Sequence, residues 1–200
     1  MTESGFQQLK AVILQKLHDG LDPRLTYHSV VHTKDVLRQA ERIAISENIT
    51  DARLLLLIRI ASLFHDSGFL YTYKAHEEKS CEMMIEVLDP KLIAPNEITM
   101  IRNMIMATKL PQMPRTLPEK IICDADLDYL GRDDFEGVSN KLKQEFLAFN
   151  IVNSEKEWDQ LQVRFIENHL YFTETSVKER YPVKMKYLEK LKRKLLEENP

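Results

Sequence analysis

Four residues carry the chemistry this chain is best equipped to do: His32, the adjacent pair His65-Asp66, and Asp126. Each lies in a stretch whose apolar residues recur at helical spacing. Two imidazoles and two carboxylates combine borderline nitrogen with hard oxygen donors, a set that suits a divalent transition metal. An ionised aspartate on an apolar helix face is costly unless a cation or hydrogen bonds compensate it. The expectation is one divalent transition metal ion (Mn, Fe, Co, Ni or Zn, with Mg also compatible) held by these side chains.

Further candidates flank the four. His28 and His32 are four apart in Tyr27-His28-Ser29-Val30-Val31-His32-Thr33 and would share a face of one helix. Spacing leaves open which of them is a ligand, the other standing nearer the mouth and orienting a ligand or substrate group. In Asp124-Ala125-Asp126-Leu127-Asp128, each step of two residues turns the side chain by roughly 200°, so one acid is expected to face the metal. Spacing alone does not say which.

The elements that must position these residues read as helices almost throughout. Phe6, Leu9, Val12, Ile13 and Leu17 mark a first amphipathic helix ending near Gly20. Thr26 is the expected N-cap of a second helix over 27–47, and Asp51 of a third. The run Leu54-Leu55-Leu56-Leu57-Ile58 is apolar all round, which places the third helix in the centre. It delivers His65-Asp66 at its C-terminal end, where Gly68 stops it. Helices are then expected over 75–88, 96–108, 119–130, 134–149, 154–171 and 177–197, with Pro182 kinking or restarting the last. The fold class is all-α, with eight or nine helices. The expected division is an N-terminal helix packing on the core (1–21), a metal-binding core (22–135) and a C-terminal helical extension (136–200).

The bulk numbers bound the rest. A length of 200 residues with 44% hydrophobic and 30% charged residues suits one globular domain rather than a disordered or fibrous chain. No run reaches the length of a membrane span, and the first residues lack signal-peptide character, so no membrane association is expected. Cys81 and Cys123 read as reduced core thiols of a cytoplasmic protein. Net charge is −3, yet eight basic and two acidic residues fall between Lys178 and Lys194. Without interleaved aromatics or a nucleic-acid motif, that run reads as a solvated helix face, and no nucleic-acid partner is expected.

Taken together, Tyr27-His28-x-x-x-His32-Thr33, Leu63-Phe64-His65-Asp66-x-Gly68, His76-Glu77-Glu78-x-Ser80 and Asp124-Ala125-Asp126-Leu127 resemble the HD-domain superfamily of metal-dependent phosphohydrolases. The similarity covers roughly residues 22–135. It implies an HD-type all-α fold with His32 rather than His28, and Asp126 rather than Asp124, as ligands beside His65 and Asp66. Two-metal members add two further histidines in the helices that follow. His76 stands where the first would be, but 101–108 contains none, so the resemblance implies a single-metal site.

The implied activity is metal-dependent hydrolysis of a phosphate ester or anhydride, with a small phosphorylated substrate, nucleotides being the family-level expectation. Asp66 would serve catalysis as well as ligation, His76 is the candidate general acid, and Glu77 would orient it or act as a base. His28, Arg24, Lys74 and Lys109 are candidate substrate-binding groups, the three cations as phosphate clamps. The alternative from another class is a non-catalytic, nucleotide-binding regulatory HD module. Oligomeric state and metal identity stay open.

Overall fold

A computed structural model describes residues 1–197 of the chain. Among them the structure is all-α, with no strand. In chain order the helices are α1 (Glu3–Gly20), α2 (Val30–Ser46), α3 (Ala52–Phe64), α4 (His76–Val87), α5 (Pro95–Ala107), α6 (Leu117–Asp126), α7 (Phe135–Ala148), α8 (Glu155–Asn168), α9 (Glu174–Glu179) and α10 (Tyr181–Glu197). Two short 3₁₀ turns, Ser67–Leu70 and Asp128–Gly131, follow α3 and α6.

Helix α3 is the axis of the fold. Its first N–H groups are capped by Asp51, whose side chain accepts from Arg53 N at 2.8 Å. Ile58, Ile60, Ala61, Leu63 and Phe64 are fully buried, as an all-round apolar sequence requires. It packs against α1, α2, α4, α5 and α6, and the main apolar core lies among these six helices. Phe6, Ile13 and Leu17 bind α1 to that core from one stripe. Two further helix starts are chemically explicit. In α1, Thr2 accepts from Gly5 N, and in α8 Ser154 accepts from Glu157 N while Glu157 accepts from Asn153 N.

A second apolar cluster joins Tyr27, Leu127, Tyr129, Leu130 and Phe135 to Val163, Ile166 and Leu188. The helices after residue 135 therefore share buried surface with the residues that follow α6, and α10 runs along α8.

Three expectations shift at element ends. Helix α2 starts at Val30 behind Ser29, not at Thr26, because the Thr26 hydroxyl donates to Lys141 O at 2.6 Å and binds the loop to α7. His28 consequently precedes the helix and does not share a helical face with His32. The helix expected to reach residue 130 ends at Asp126, and a 3₁₀ turn carries the chain to Gly131. The last expected helix is divided, so ten helices are present among the described residues. Pro182 sits in the first turn of α10, where its missing N–H leaves no helical bond unmade.

The basic run near the C-terminus is largely partnered. Lys190 pairs with Glu136, Lys192 with Glu167, Lys194 with Asp159 and Arg180 with Asp128, while Lys184 is buried beneath the α8 terminus. Cys81 and Cys123 are free and buried. No helix among the described residues is long and apolar enough to cross a membrane.

Candidate metal centre and adjoining cavity

The chain reverses after α3 because Gly68 lets the 3₁₀ turn lie directly against the start of α4. A Cβ on Gly68 would sit 1.9 Å from His76 O and 2.9 Å from Ser80 N, both backbone atoms. Ser80 Oγ locks the junction, accepting from Gly68 N at 2.8 Å and donating to His65 O at 2.7 Å. Ala75 takes up the left-handed conformation (φ 56°) that turns the chain into α4, a position unfavourable for a residue with a side chain. These devices set His76 beside the end of α3.

The structure brings His32 of α2, His65 and Asp66 at the end of α3, and Asp126 at the end of α6 to one point. His32 Nε2 lies 3.3 Å from His65 Nε2 and 3.3 Å from Asp66 Oδ2. His65 Nε2 is 3.2 Å from the same Asp66 oxygen. Asp126 Oδ1 is 3.1 Å from His32 Nε2 and 3.6 Å from His65 Nε2. Ligand bonds of about 2.0–2.2 Å to one metal would set neighbouring donors roughly 3.0–3.5 Å apart. His32, His65 and Asp66 form a group whose donor atoms all lie within 4.8 Å of one another and could hold a metal ion, and Asp126 stands beside its two imidazoles.

Two details sharpen that fit. His65 Nδ1 donates to Ser62 O at 2.9 Å, which leaves its Nε2 lone pair turned into the cluster. Asp66 Oδ2 is buried and makes no hydrogen bond. Electrostatics point the same way. Burial pulls the His32 imidazole down, but the Asp126 and Asp66 carboxylates overcome it and raise its pKa to about 9. Burial likewise opposes, and the same carboxylates reverse, the shift at His65, which is held well above the ordinary range. Burial raises both carboxyls and the imidazoles lower them more, so Asp66 lies well below its usual range and Asp126 at about 2. The nest is one that draws positive charge.

The three acids around Asp126 face three directions. Asp124 turns to the start of α9, accepting from Phe172 N, Thr173 N and Thr173 Oγ1, and burial pushes its carboxyl up to about 6. Asp128 is fully buried and takes Arg42, Arg132 and Arg180. Asp126 alone faces the histidines.

Around this nest the other expected residues separate. His76 Nε2 is 3.5 Å from Asp66 Oδ1, the oxygen turned away from His32 and His65, and 3.6 Å from the buried Glu77. Phe69 packs against the rings of both His76 and His28, with centroids 3.9 and 4.2 Å away. Lys74 and Lys109 line the adjoining cavity, Lys109 while paired with Glu78. Arg24 is not brought to the cavity: it forks onto Asp22 and lies over the Phe149 ring, because both partners are its immediate neighbours in space. Tyr71 is exposed, whereas Tyr73 is half-buried between Phe69 and Phe149.

A buried acid outside the sequence expectations, Glu145 of α7, also borders the site. Completely buried, it pairs with His28 Nδ1, accepts from the backbone N–H of Tyr27 and of His28, and takes the Tyr73 hydroxyl at 3.1 Å. Its sequence signal is an acid on the stripe Phe135, Leu142, Phe146, Phe149, where helical spacing calls for an apolar residue.

The cavity beside the cluster has a volume of about 520 Å³. Asp66, His76 and Asp126 stand in its wall at one end, and side chains of α7 and α8 form the other. A ligand at the polar end would meet the two carboxylates and the His76 imidazole. Comparison with protein-family models, with curated proteins and with solved structures gives no match for this chain.

Proposed function

We propose that the protein is a metal-dependent phosphohydrolase of the HD type, hydrolysing a phosphate ester or nucleotide at a single divalent transition metal held by His32, His65, Asp66 and Asp126. The observation that supports it most is the His32, His65 and Asp66 group, whose donors lie 3.2–3.3 Å apart, with Asp126 at 3.1 and 3.6 Å from its two imidazoles. When bound, a divalent ion supplies Lewis acidity toward a phosphoryl oxygen and lowers the pKa of water.

The chain's own side chains supply the rest. His76, whose imidazole is raised by Asp66 against the effect of burial, holds a proton within reach of the cavity and is suited to give it to a leaving oxygen. Lys74 at the cavity wall would neutralise phosphate charge, and Lys109 would do so only by leaving Glu78. Glu145 holds the His28 ring against Phe69 on the cavity wall. A cytoplasmic location is part of the same reading, supported by the two free buried thiols.

The test is metal analysis of the purified protein together with phosphate release from a panel of nucleotides and simple phosphate esters, with Mn, Co, Ni and Mg. One bound ion per chain, and release abolished by Asp66→Ala or by a chelator but kept in the exposed-site control Lys16→Ala, is the expected result. Tight nucleotide binding without release would replace the enzyme with the regulatory-module reading. Failure to bind any of the metals would overturn both.

A further inference from the structure

The cavity that opens on the candidate metal centre has two chemically different ends. At one end stand Asp66, Asp126 and His76. The other is walled by Phe146, Trp158, Leu161 and Phe165, and exposed apolar residues continue it at the rim: Leu110 is 59% and Ile151 45% exposed. A concave apolar wall continued by aliphatic side chains at its rim suits the body of an apolar ligand.

Few polar groups stand within the apolar end, and three of them are already engaged. Gln162 gives its amide to Ser139, Thr108 gives its hydroxyl to Ile105 O at 2.8 Å, and Tyr73 gives its own to Glu145. A nucleobase lodged there would lose water from several ring nitrogens and exocyclic groups and find only the Trp158 indole N–H and the Gln162 amide to replace it, and unsatisfied buried polar groups are penalised. A hydrocarbon or simple aryl body would lose nothing of that kind. From this juxtaposition we infer that the substrate class is a phosphate monoester of an apolar alcohol, its phosphate at the histidine-aspartate cluster and its hydrocarbon or aryl body against Phe146, Trp158, Leu161 and Phe165. For its polar end the inference rests on the phosphohydrolase reading; its apolar end stands on the cavity itself.

Trp158, the single tryptophan of the chain, lies in the apolar wall and is the natural reporter. The experiment titrates the whole protein, metal-free and then loaded with Mn, with n-alkyl phosphates from ethyl to decyl, 1-naphthyl phosphate, a set of nucleoside monophosphates and inorganic phosphate. Trp158 emission is read, and phosphate release is assayed separately. Affinity is expected to rise by about three- to fourfold per added methylene over several steps. Octyl and naphthyl phosphates should bind more tightly than every mononucleotide. Leu161→Gln should flatten the chain-length series without changing metal content, whereas Leu161→Met should keep it. Should Leu161→Gln fail to fold, Ile151→Gln at the open rim tests the same wall.

A series independent of chain length, or mononucleotides binding more tightly than octyl phosphate, overturns the inference. A steep series with no phosphate released under any metal supports the apolar site and sinks the phosphohydrolase reading alone. Phosphate release confined to nucleotides does the reverse.

Discussion

Glu145 on α7 holds His28 from a distance of 117 residues along the chain. One carboxylate oxygen meets the imidazole Nδ1, and the other accepts the backbone N–H groups of Tyr27 and His28 at 3.0 and 3.1 Å. A single buried acid thus shapes the segment entering α2 and joins the C-terminal helices to the candidate metal centre.

Removing that acid should therefore cost stability as well as alignment. Glu145→Ala leaves buried donors unsatisfied and is expected to destabilise by about 2–4 kcal/mol. Glu145→Gln keeps an acceptor for the backbone N–H groups but loses the charged partner of His28, and should cost less than half as much. Urea unfolding of both variants checks the ordering; equal losses would show that the carboxylate charge is irrelevant.

The junction at Gly68 predicts a contrast between two glycines. Gly68→Ala forces a Cβ to within 1.9 Å of the His76 carbonyl oxygen, so α4 must move, at a cost of about 2–3 kcal/mol or more. Gly137, in α7, has nothing within 4 Å of an added Cβ. Gly137→Ala is expected to stabilise by about 0.5–1 kcal/mol through helix propensity. Thermal unfolding of the pair, with metal content measured for each, checks it. A harmless Gly68→Ala would contradict the close packing of the two segments.

His169 predicts how stability depends on pH. Burial, and then the Lys184 ammonium 3.5 Å from its Nδ1, lower its pKa from the usual 6.5 to about 3. Phe165 and Tyr171 pack on its ring, and Nε2 is buried without a hydrogen bond. The folded protein therefore binds fewer protons here than the unfolded chain. The contribution is complete above about pH 6.5 and is lost as pH falls toward 3, at about 1.4 kcal/mol per unit. In His169→Phe that part of the slope should vanish, measured as the change in unfolding free energy between pH 7 and pH 5. An unchanged slope would show that His169 titrates normally in the fold.

Much of this was legible in the residues because helix signals are local. The cap at Asp51, the all-round apolar run of α3 and the arrival of His65-Asp66 at its end follow from spacing within a few turns. So does the all-α class, since no stretch alternates as a half-buried strand would. Spacing could not choose among Asp124, Asp126 and Asp128; the superfamily resemblance selected Asp126, the acid that faces His32 and His65. Other positions depend on partners far along the chain. Thr26 looked like a cap, but its hydroxyl goes to Lys141, so α2 begins later and His28 leaves the helix. Arg24 looked like a phosphate clamp, but Asp22 and Phe149 take it.

The sequence alone determined which segments are helices and which side chains have ligand chemistry, because backbone propensity, capping and apolar period act over one or two turns. Only the tertiary structure decided that the four donors meet, that Glu145 pins His28, and that α7 and α8 wall the cavity with Phe146, Trp158 and Phe165. Those outcomes depend on how helices pack across more than a hundred residues of chain, where side-chain volume and buried charge pairing, not local periodicity, set the geometry.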